Sequence, residues 1–199
     1  MIRHVVFDIG RVLVQLQPER LLGLLAAAGG RQQGLEAVTA RIDLLAHETG
    51  RLDGDALLRQ IAALAPQPLE AASLREAWVA MLEPDIAMLQ LASRLRERYD
   101  VYLLTNVGDL HWQYLSQRLE LERYAHGVIR SYEVGVMKPD PRIYQLTEQR
   151  FRLQPAATVF LDDRPENVAA AVSRGWHGIV HCAHDDSRAQ LESLGLVTE

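Results

Sequence analysis

The chain begins with a short unbroken apolar run, HVVFD at residues 4–8, that stops on a carboxylate. A Val/Phe run of this length reads as a strand buried on both faces of a parallel sheet. The texture then changes. From about Pro18 to Pro84, PERLLGLLAAAGG, GLEAVTARIDLLAHETG, LDGDALLRQIAALAPQP and EAASLREAWVAMLEP are rich in Ala, Leu, Glu and Arg and are separated by Gly and Pro. They read as helices with stops between them, and no strand signal appears among them. Ile86, Leu89, Ala92 and Leu95 mark one face of a further helix. After it, strands and helices alternate. VYLLT (101–105), the weaker GVIRS (127–131), TVFLD (158–162) and GIVHC (178–182) are strands. GDLHWQYLSQRLE, DPRIYQLTEQRF with Pro141 near its start, RPENVAAAVSRG closed by Gly175, and DSRAQLESLG are helices.

Alternation of this kind predicts an α/β fold, a Rossmann-like parallel sheet with helices packed on it. The helical block interrupts the alternation directly after the first strand, as an inserted all-helical cap would. The expected division is a core of residues 1–15 and 86–199 and a cap of residues 16–85. With 199 residues, that is one core domain carrying one insertion.

Composition narrows the class without naming a reaction. Apolar residues are 48% and charged residues 24%, ordinary values for a water-soluble protein. A net charge of -5 gives no basic face for nucleic acid. No apolar run is long enough to span a bilayer, and the N-terminal run is too short for a signal peptide. The lone Cys182 has no intramolecular disulfide partner, which points to a reducing, cytoplasmic compartment. Expected partners are therefore a small molecule rather than nucleic acid or membrane, with monomer and homodimer both open. Of the 21 basic residues only Lys138 is a lysine, so chemistry that needs an amine has one candidate.

In doubly wound sheets ligands sit beyond the carboxyl ends of the strands. The first strand ends on Asp8, the second on Thr105 and Asn106, and the fourth on Asp162 and Asp163. The segment after the third reaches Lys138. Three carboxylates on one rim repel one another unless a cation compensates, and hard oxygen ligands suit Mg²⁺. Thr, Asn and Lys are donors suited to an anion. A hard cation beside anion donors points to phosphate.

FDIGRVL, LLTN, VMKPDP and FLDDRPEN, in this order and each at a strand end, resemble the four motifs of the haloacid dehalogenase superfamily, in its branch with a helical cap after the first strand. The start and the cap segment HETGRLDGDAL are most similar to the small bacterial phosphatases of α-glucose 1-phosphate, with the phosphatase domain of soluble epoxide hydrolases a further cousin. The resemblance implies a Mg²⁺-dependent phosphatase acting on a small phosphorylated metabolite, a sugar phosphate, with Asp8 as the nucleophile that becomes an aspartyl-phosphate. It implies phosphoryl contacts from Thr105 and Asn106, and neutralisation of Asp8 and the phosphoryl group by Lys138. It further implies metal ligation by Asp8, by the backbone carbonyl of Gly10 and by Asp163, with Asp162 acting directly or through water.

One departure matters. Most phosphatases of the superfamily carry a second aspartate two residues after the nucleophile, as general acid and base, and here that position is Gly10. General acid–base catalysis contributes about 10²–10⁴-fold, and its loss matters least for a good leaving group, so a sugar 1-phosphate is favoured. Two alternatives stay open: a metal-independent 2-haloacid dehalogenase using the same Asp8, and a phosphate-binding relative without turnover. A phosphomutase would need the missing aspartate, and a phosphonatase would need a cap lysine.

Other residues have plainer readings. Asp109 is expected to cap the helix that follows Asn106. Trp78 and Leu82 are expected in the core of the cap, and Cys182 as a buried thiol. His181, Cys182 and His184 match no familiar metal spacing and are read as a loop entering the last helix. His47, Glu48 and Arg51 lie near the family's cap loop as candidate contacts to the substrate. Arg11 faces either phosphate or solvent.

Overall fold

The computed structural model describes residues 1–31 and 34–198. Strand β1 (His4–Phe7) leads into a short β2 (Val14–Leu16) and five helices, α1 (Glu19–Ala27), α2 (Leu35–Thr39), α3 (Leu44–Glu48), α4 (Gly54–Ala62) and α5 (Ala71–Val79). The chain returns through β3 (Leu82–Pro84) to α6 (Ile86–Arg96) and β4 (Asp100–Thr105). Then follow α7 (Asp109–Leu119), β5 (Gly127–Arg130), α8 (Ser131–Val134), α9 (Pro141–Phe151), β6 (Thr158–Asp162), α10 (Pro165–Val172), β7 (His177–Val180) and α11 (His184–Ser193). Among the described residues no helix is long and apolar enough to cross a membrane.

The five core strands are all parallel, in the order β5-β4-β1-β6-β7. The apolar runs are continuous because both faces of the sheet are covered. Val5, Phe7, Leu103 and Leu161 pack on one face, and Val6, Leu104 and Phe160 on the other with Tyr144 and Trp176. With β1 at the centre, Phe7 pairs with Leu103 on one side and Leu161 on the other. Asp8 and Asp162, one residue beyond, and Thr105, two residues beyond, therefore share one rim.

The helical block carries its own apolar cluster. Leu21, Leu25, Val38, Leu57, Ile61, Leu74, Trp78 and Met81 are buried together, joined from the core by Leu110. Trp78 is buried in this cluster as expected, whereas Leu82 is buried in the apolar cluster of the sheet domain rather than in that of the helical block. The expectation of no strand between about Pro18 and Pro84 is corrected: Leu82–Pro84 pairs antiparallel with Val14–Leu16 in a two-stranded ribbon at the base of the block. Three-residue strands far apart in sequence carry too little periodicity to be seen one at a time. The segment read as one helical stretch from Gly34 to Gly50 is broken into α2 and α3, because the Asp43 carboxylate accepts from the Ala46 N–H and starts a new helix.

Candidate active site

Asp8 follows the last residue of β1, with its N–H donating to the Leu161 carbonyl at 2.8 Å. Its carboxylate meets the Lys138 ammonium, Nζ to Oδ1, at 2.7 Å. The same ammonium donates to Asp162 Oδ2 at 2.7 Å and to the Leu104 carbonyl at 2.8 Å, and lies 5.4 Å from the centre of the Phe160 ring. Lys138 is 1% exposed, so all three hydrogens of the ammonium have a protein acceptor in a dry setting. Its backbone is held as firmly. Asn106 Oδ1 accepts from the Lys138 N–H at 2.8 Å and Asn106 Nδ2 donates to the Lys138 carbonyl at 2.9 Å. This two-way clasp joins the end of β4 to the loop after α8. Ser131 strengthens the junction, its hydroxyl accepting from the Val107 N–H and donating to the Val107 carbonyl.

Asp162 is fully buried and its oxygens are engaged on every side. Besides Lys138 it accepts from the Arg164 N–H at 2.9 Å and from Asn167 Nδ2 at 2.9 and 3.0 Å. Tyr144 fixes Asn167 in turn, its hydroxyl donating to the Asn167 carbonyl at 2.8 Å. Asn167 is absent from the expected site. The visible signal was its place five residues after Asp162, one turn into α10, where an amide faces back to the strand end.

Carboxylate oxygens of Asp8, Asp162 and Asp163 lie within 4.8 Å of one another, against a single ammonium. Burial pushes the Asp8 carboxyl up to about 6, with Lys138 pulling it down and Asp162 pushing it further up. Burial and the neighbouring Asp162 also push Asp163 up. Carboxyls raised despite a buried lysine mark a place with negative charge in excess, where a divalent cation is favoured. The donors free to meet one are Asp8, Asp163 and the backbone of Gly10, all hard oxygens, so the residues present fit Mg²⁺. A Cβ built on Gly10 meets nothing within 4 Å, so open space adjoins this backbone.

That space belongs to a cavity of about 180 Å³ between the rim and the helical block. Gly10, Thr105, Asn106 and Glu48 line its polar end, and Leu16, Leu44, Trp78 and Met81 are among its apolar walls. Glu48, the last residue of α3, brings a fourth carboxyl to the site. Burial pushes it up to about 7, and Asp8 adds to the shift against Arg164 and Lys138. Its neighbour His47 is 1% exposed, with Nδ1 donating to the Leu52 carbonyl at 3.1 Å and Nε2 lying 3.7 Å from Asp109 Oδ1. The ring lies against Gly108 so closely that a Cβ there would overlap it. Asp109 Oδ2 also accepts from the Gly54 N–H at 3.3 Å. The 47–54 segment is thus clasped to the start of α7.

The structure departs from expectation at Asp109 and Cys182. Asp109 is the first residue of α7 rather than its cap, since Gly108 holds the cap position and the Asp109 side chain is occupied by the helical block. Cys182 is exposed rather than buried, because β7 ends at Val180. Arg51 turns its guanidinium to the Thr49 hydroxyl at 3.1 Å, on the surface. His181 is buried against the Ser187 hydroxyl at 2.8 Å, and among the described residues neither it nor His184 joins a metal-holding group. Arg11 is exposed and lies beside Asp163 in a shallow polar depression.

The model of the haloacid dehalogenase-like hydrolases matches residues 2–175. The chain is 28% identical over 183 residues to the D-ribitol-5-phosphate phosphatase of Bacteroides thetaiotaomicron, covering 84% of this chain and 86% of that protein. The fold is similar to a HAD family enzyme from Bacteroides thetaiotaomicron solved in complex with magnesium and inorganic phosphate, with a TM-score of 0.80, 26% identity, and coverage of 92% of this chain and 96% of the other. A HAD-like family hydrolase from Porphyromonas gingivalis superposes with a TM-score of 0.83 over 99% of both chains; at 24% identity it speaks for the fold alone.

Proposed function

The chain belongs to the haloacid dehalogenase-like hydrolase family, and we propose that within it this protein is a Mg²⁺-dependent phosphatase of a small phosphorylated metabolite, most simply a sugar phosphate. The observation that carries the reading is the Asp8–Lys138–Asp162 cluster with Asp163 beside it. A nucleophile is held by a buried ammonium, and beside it stands a carboxylate that no ion pair among the described residues engages. Phosphoryl transfer needs mainly positioning and charge neutralisation, and this rim supplies both.

The proposed roles follow from the contacts. Asp8 Oδ attacks phosphorus. Lys138 neutralises Asp8 and the transferring group, and its ammonium cannot turn away because Asp162 and the Leu104 carbonyl hold it. Thr105, 2% exposed at the rim, and Asn106 face the phosphoryl oxygens, and Asn106 also sets the backbone of Lys138. Asp8, Asp163 and the Gly10 carbonyl would hold Mg²⁺, with Asp162 supporting from behind. When bound, Mg²⁺ supplies positive charge to the phosphoryl oxygens. The division into a core (1–15, 86–199) and a cap (16–85) that covers the site belongs to the same reading.

A cavity of about 180 Å³ suits a small organic group. The D-ribitol-5-phosphate phosphatase among its relatives supports a sugar or sugar-alcohol phosphate. The preference for a sugar 1-phosphate holds only if nothing takes over the proton transfer that Gly10 lacks. The test is a panel of phosphorylated metabolites, with glucose 1-phosphate and glucose 6-phosphate included, run with Mg²⁺ and with EDTA. Release of inorganic phosphate that needs Mg²⁺ and disappears in Asp8→Asn supports the reading. Activity on 2-haloacids that survives EDTA overturns it.

A further inference from the structure

We propose that Glu48 performs the proton transfers of this reaction, as the acid that protonates the leaving oxygen and then as the base that activates the hydrolytic water. This rests on the phosphatase reading above and supplies what Gly10 lacks.

Three observations of the structure meet on this residue. First, Gly10 leaves open space rather than packed protein, and Glu48 lines the same cavity together with Gly10, Thr105 and Asn106. A carboxyl from the helical block thus opens onto the same cavity as the bare strand end. Second, the Glu48 carboxyl has no hydrogen-bonding partner among the described residues, and the charges acting on it are those of Asp8, Arg164 and Lys138. Every other site carboxylate of the rim except Asp163, which the cation reading employs, is held by Lys138. Third, its placement is fixed by the residue before it. His47 is wedged against Gly108, hydrogen-bonded to Leu52 and close to Asp109, so the residue after it is delivered to the rim in a fixed position. A carboxyl pushed up to about 7 by burial is suited to give and take a proton near neutral pH.

Asp8 Oδ bonds to phosphorus as the bond from phosphorus to the leaving oxygen breaks, and the Glu48 proton moves to that oxygen, releasing the alcohol. The Glu48 carboxylate then takes a proton from water, whose oxygen bonds to phosphorus. The bond from phosphorus to Asp8 breaks, inorganic phosphate leaves, and Asp8 and protonated Glu48 are restored. With the proton supplied, an ordinary alkyl phosphate comes within reach as well as a sugar 1-phosphate.

The experiment compares wild type, Glu48→Gln, Glu48→Asp and Asp8→Asn with saturating Mg²⁺ on two substrates. One is the alkyl phosphate that wild type hydrolyses fastest; the other is p-nitrophenyl phosphate, whose phenolate leaves without a proton. Glu48→Gln is expected to lose about 10²–10⁴-fold in kcat on the alkyl phosphate. On p-nitrophenyl phosphate it is expected to release a rapid first equivalent of nitrophenolate and then slow, because the aspartyl-phosphate lacks its base. Glu48→Asp is expected to recover part of the alkyl activity. The proposal is overturned if Glu48→Gln hydrolyses the alkyl phosphate within a few-fold of wild type. It is equally overturned if the change raises KM alone, or if the nitrophenolate burst and the alkyl rate fall by the same factor. Asp8→Asn separates the two readings: activity that persists there refutes the nucleophile whatever Glu48 does.

Discussion

Replacing Lys138 by Met keeps the length of the side chain and removes its charge. Three acceptors lose their donor at once: Asp8 Oδ1 and Asp162 Oδ2, each at 2.7 Å, and the Leu104 carbonyl at 2.8 Å. Two carboxylates are left close together with Asp162 fully buried. Removing one partner of a buried charge cluster costs about 3–5 kcal/mol, chiefly the penalty of the charge left behind. For a chain of this length about 1 kcal/mol corresponds to roughly 2–4 °C in Tm, so the expected loss is roughly 6–20 °C. The assay is thermal unfolding followed by circular dichroism at pH 7.5 in EDTA. Because the cost lies in the orphaned charge, adding Asp162→Asn to Lys138→Met should return part of the lost stability. A drop under about 2 °C in the single variant, or a double variant less stable than Lys138→Met, refutes the account of the cluster as a charge-balanced unit.

Gly108→Ala places a methyl group where the His47 ring lies; about 1–3 kcal/mol of overpacking should lower Tm, cut activity at least tenfold through Glu48, and be partly relieved by His47→Ala. His111 lies against Trp78, and burial pushes its imidazole down to about 4 although its Nε2–H donates to the Trp78 carbonyl. The unfolded chain therefore takes up a proton below about pH 6.5 that the folded chain refuses until about pH 4, so up to about 3 kcal/mol of stability is lost as pH falls through that window. Urea melts between pH 4 and 7.5 should show this contribution in wild type and a smaller loss toward acid in His111→Phe, since His4 and His181 are also pushed down by burial. Glu148 accepts from Arg174 and from the buried Trp176 Nε1–H at 2.9 Å, so Glu148→Ala should cost about 1–3 kcal/mol in urea unfolding through the unpaired indole donor.

The parts of this molecule that could be read from the chain are those encoded locally. The central strands are runs of adjacent apolar residues, and the carboxylates of the rim are the polar residues that stop them, as with Asp8 after Phe7 and Asp162 after Leu161. Their convergence follows from topology, since strands of one parallel sheet end at one edge. What escaped was encoded by pairs distant in sequence. The ribbon of β2 and β3 joins residues 14–16 to 82–84, and neither piece is long enough to show a period. The side chain of Asp109 looked like a cap because Asp is a good one. One of its oxygens does accept from the Leu110 N–H beside it, at 2.7 Å, but the other reaches the Gly54 N–H, 55 residues away, and no local rule contains that contact. Glu48 was legible as a member of a loop near the site, but its function depends on His47 docking at Gly108, a contact between two segments.

The same long-range dependence makes Gly10 open to a decisive exchange. If Glu48 is the proton donor only because the strand end lacks a carboxyl, the group can be moved back. A side chain at residue 10 meets nothing within 4 Å, and the position needs no left-handed backbone. An aspartate there extends into the cavity that Glu48 lines. Introduced alone, Gly10→Asp adds another carboxyl to a rim already rich in negative charge and should change alkyl phosphate hydrolysis little. Introduced into Glu48→Gln, it should recover at least tenfold of the roughly 10²–10⁴-fold that acid–base catalysis supplies. Gly10→Asn, of equal size but without an ionisable group, should recover none. Steady-state release of inorganic phosphate from the alkyl phosphate, in all four backgrounds, measures this directly. Recovery by Asn equal to that by Asp would mean that residue 10 acts by filling space. No recovery by Asp, in a variant that still gives the nitrophenolate burst, would mean that the proton path needs the particular approach of α3, and that the two positions are not chemically equivalent.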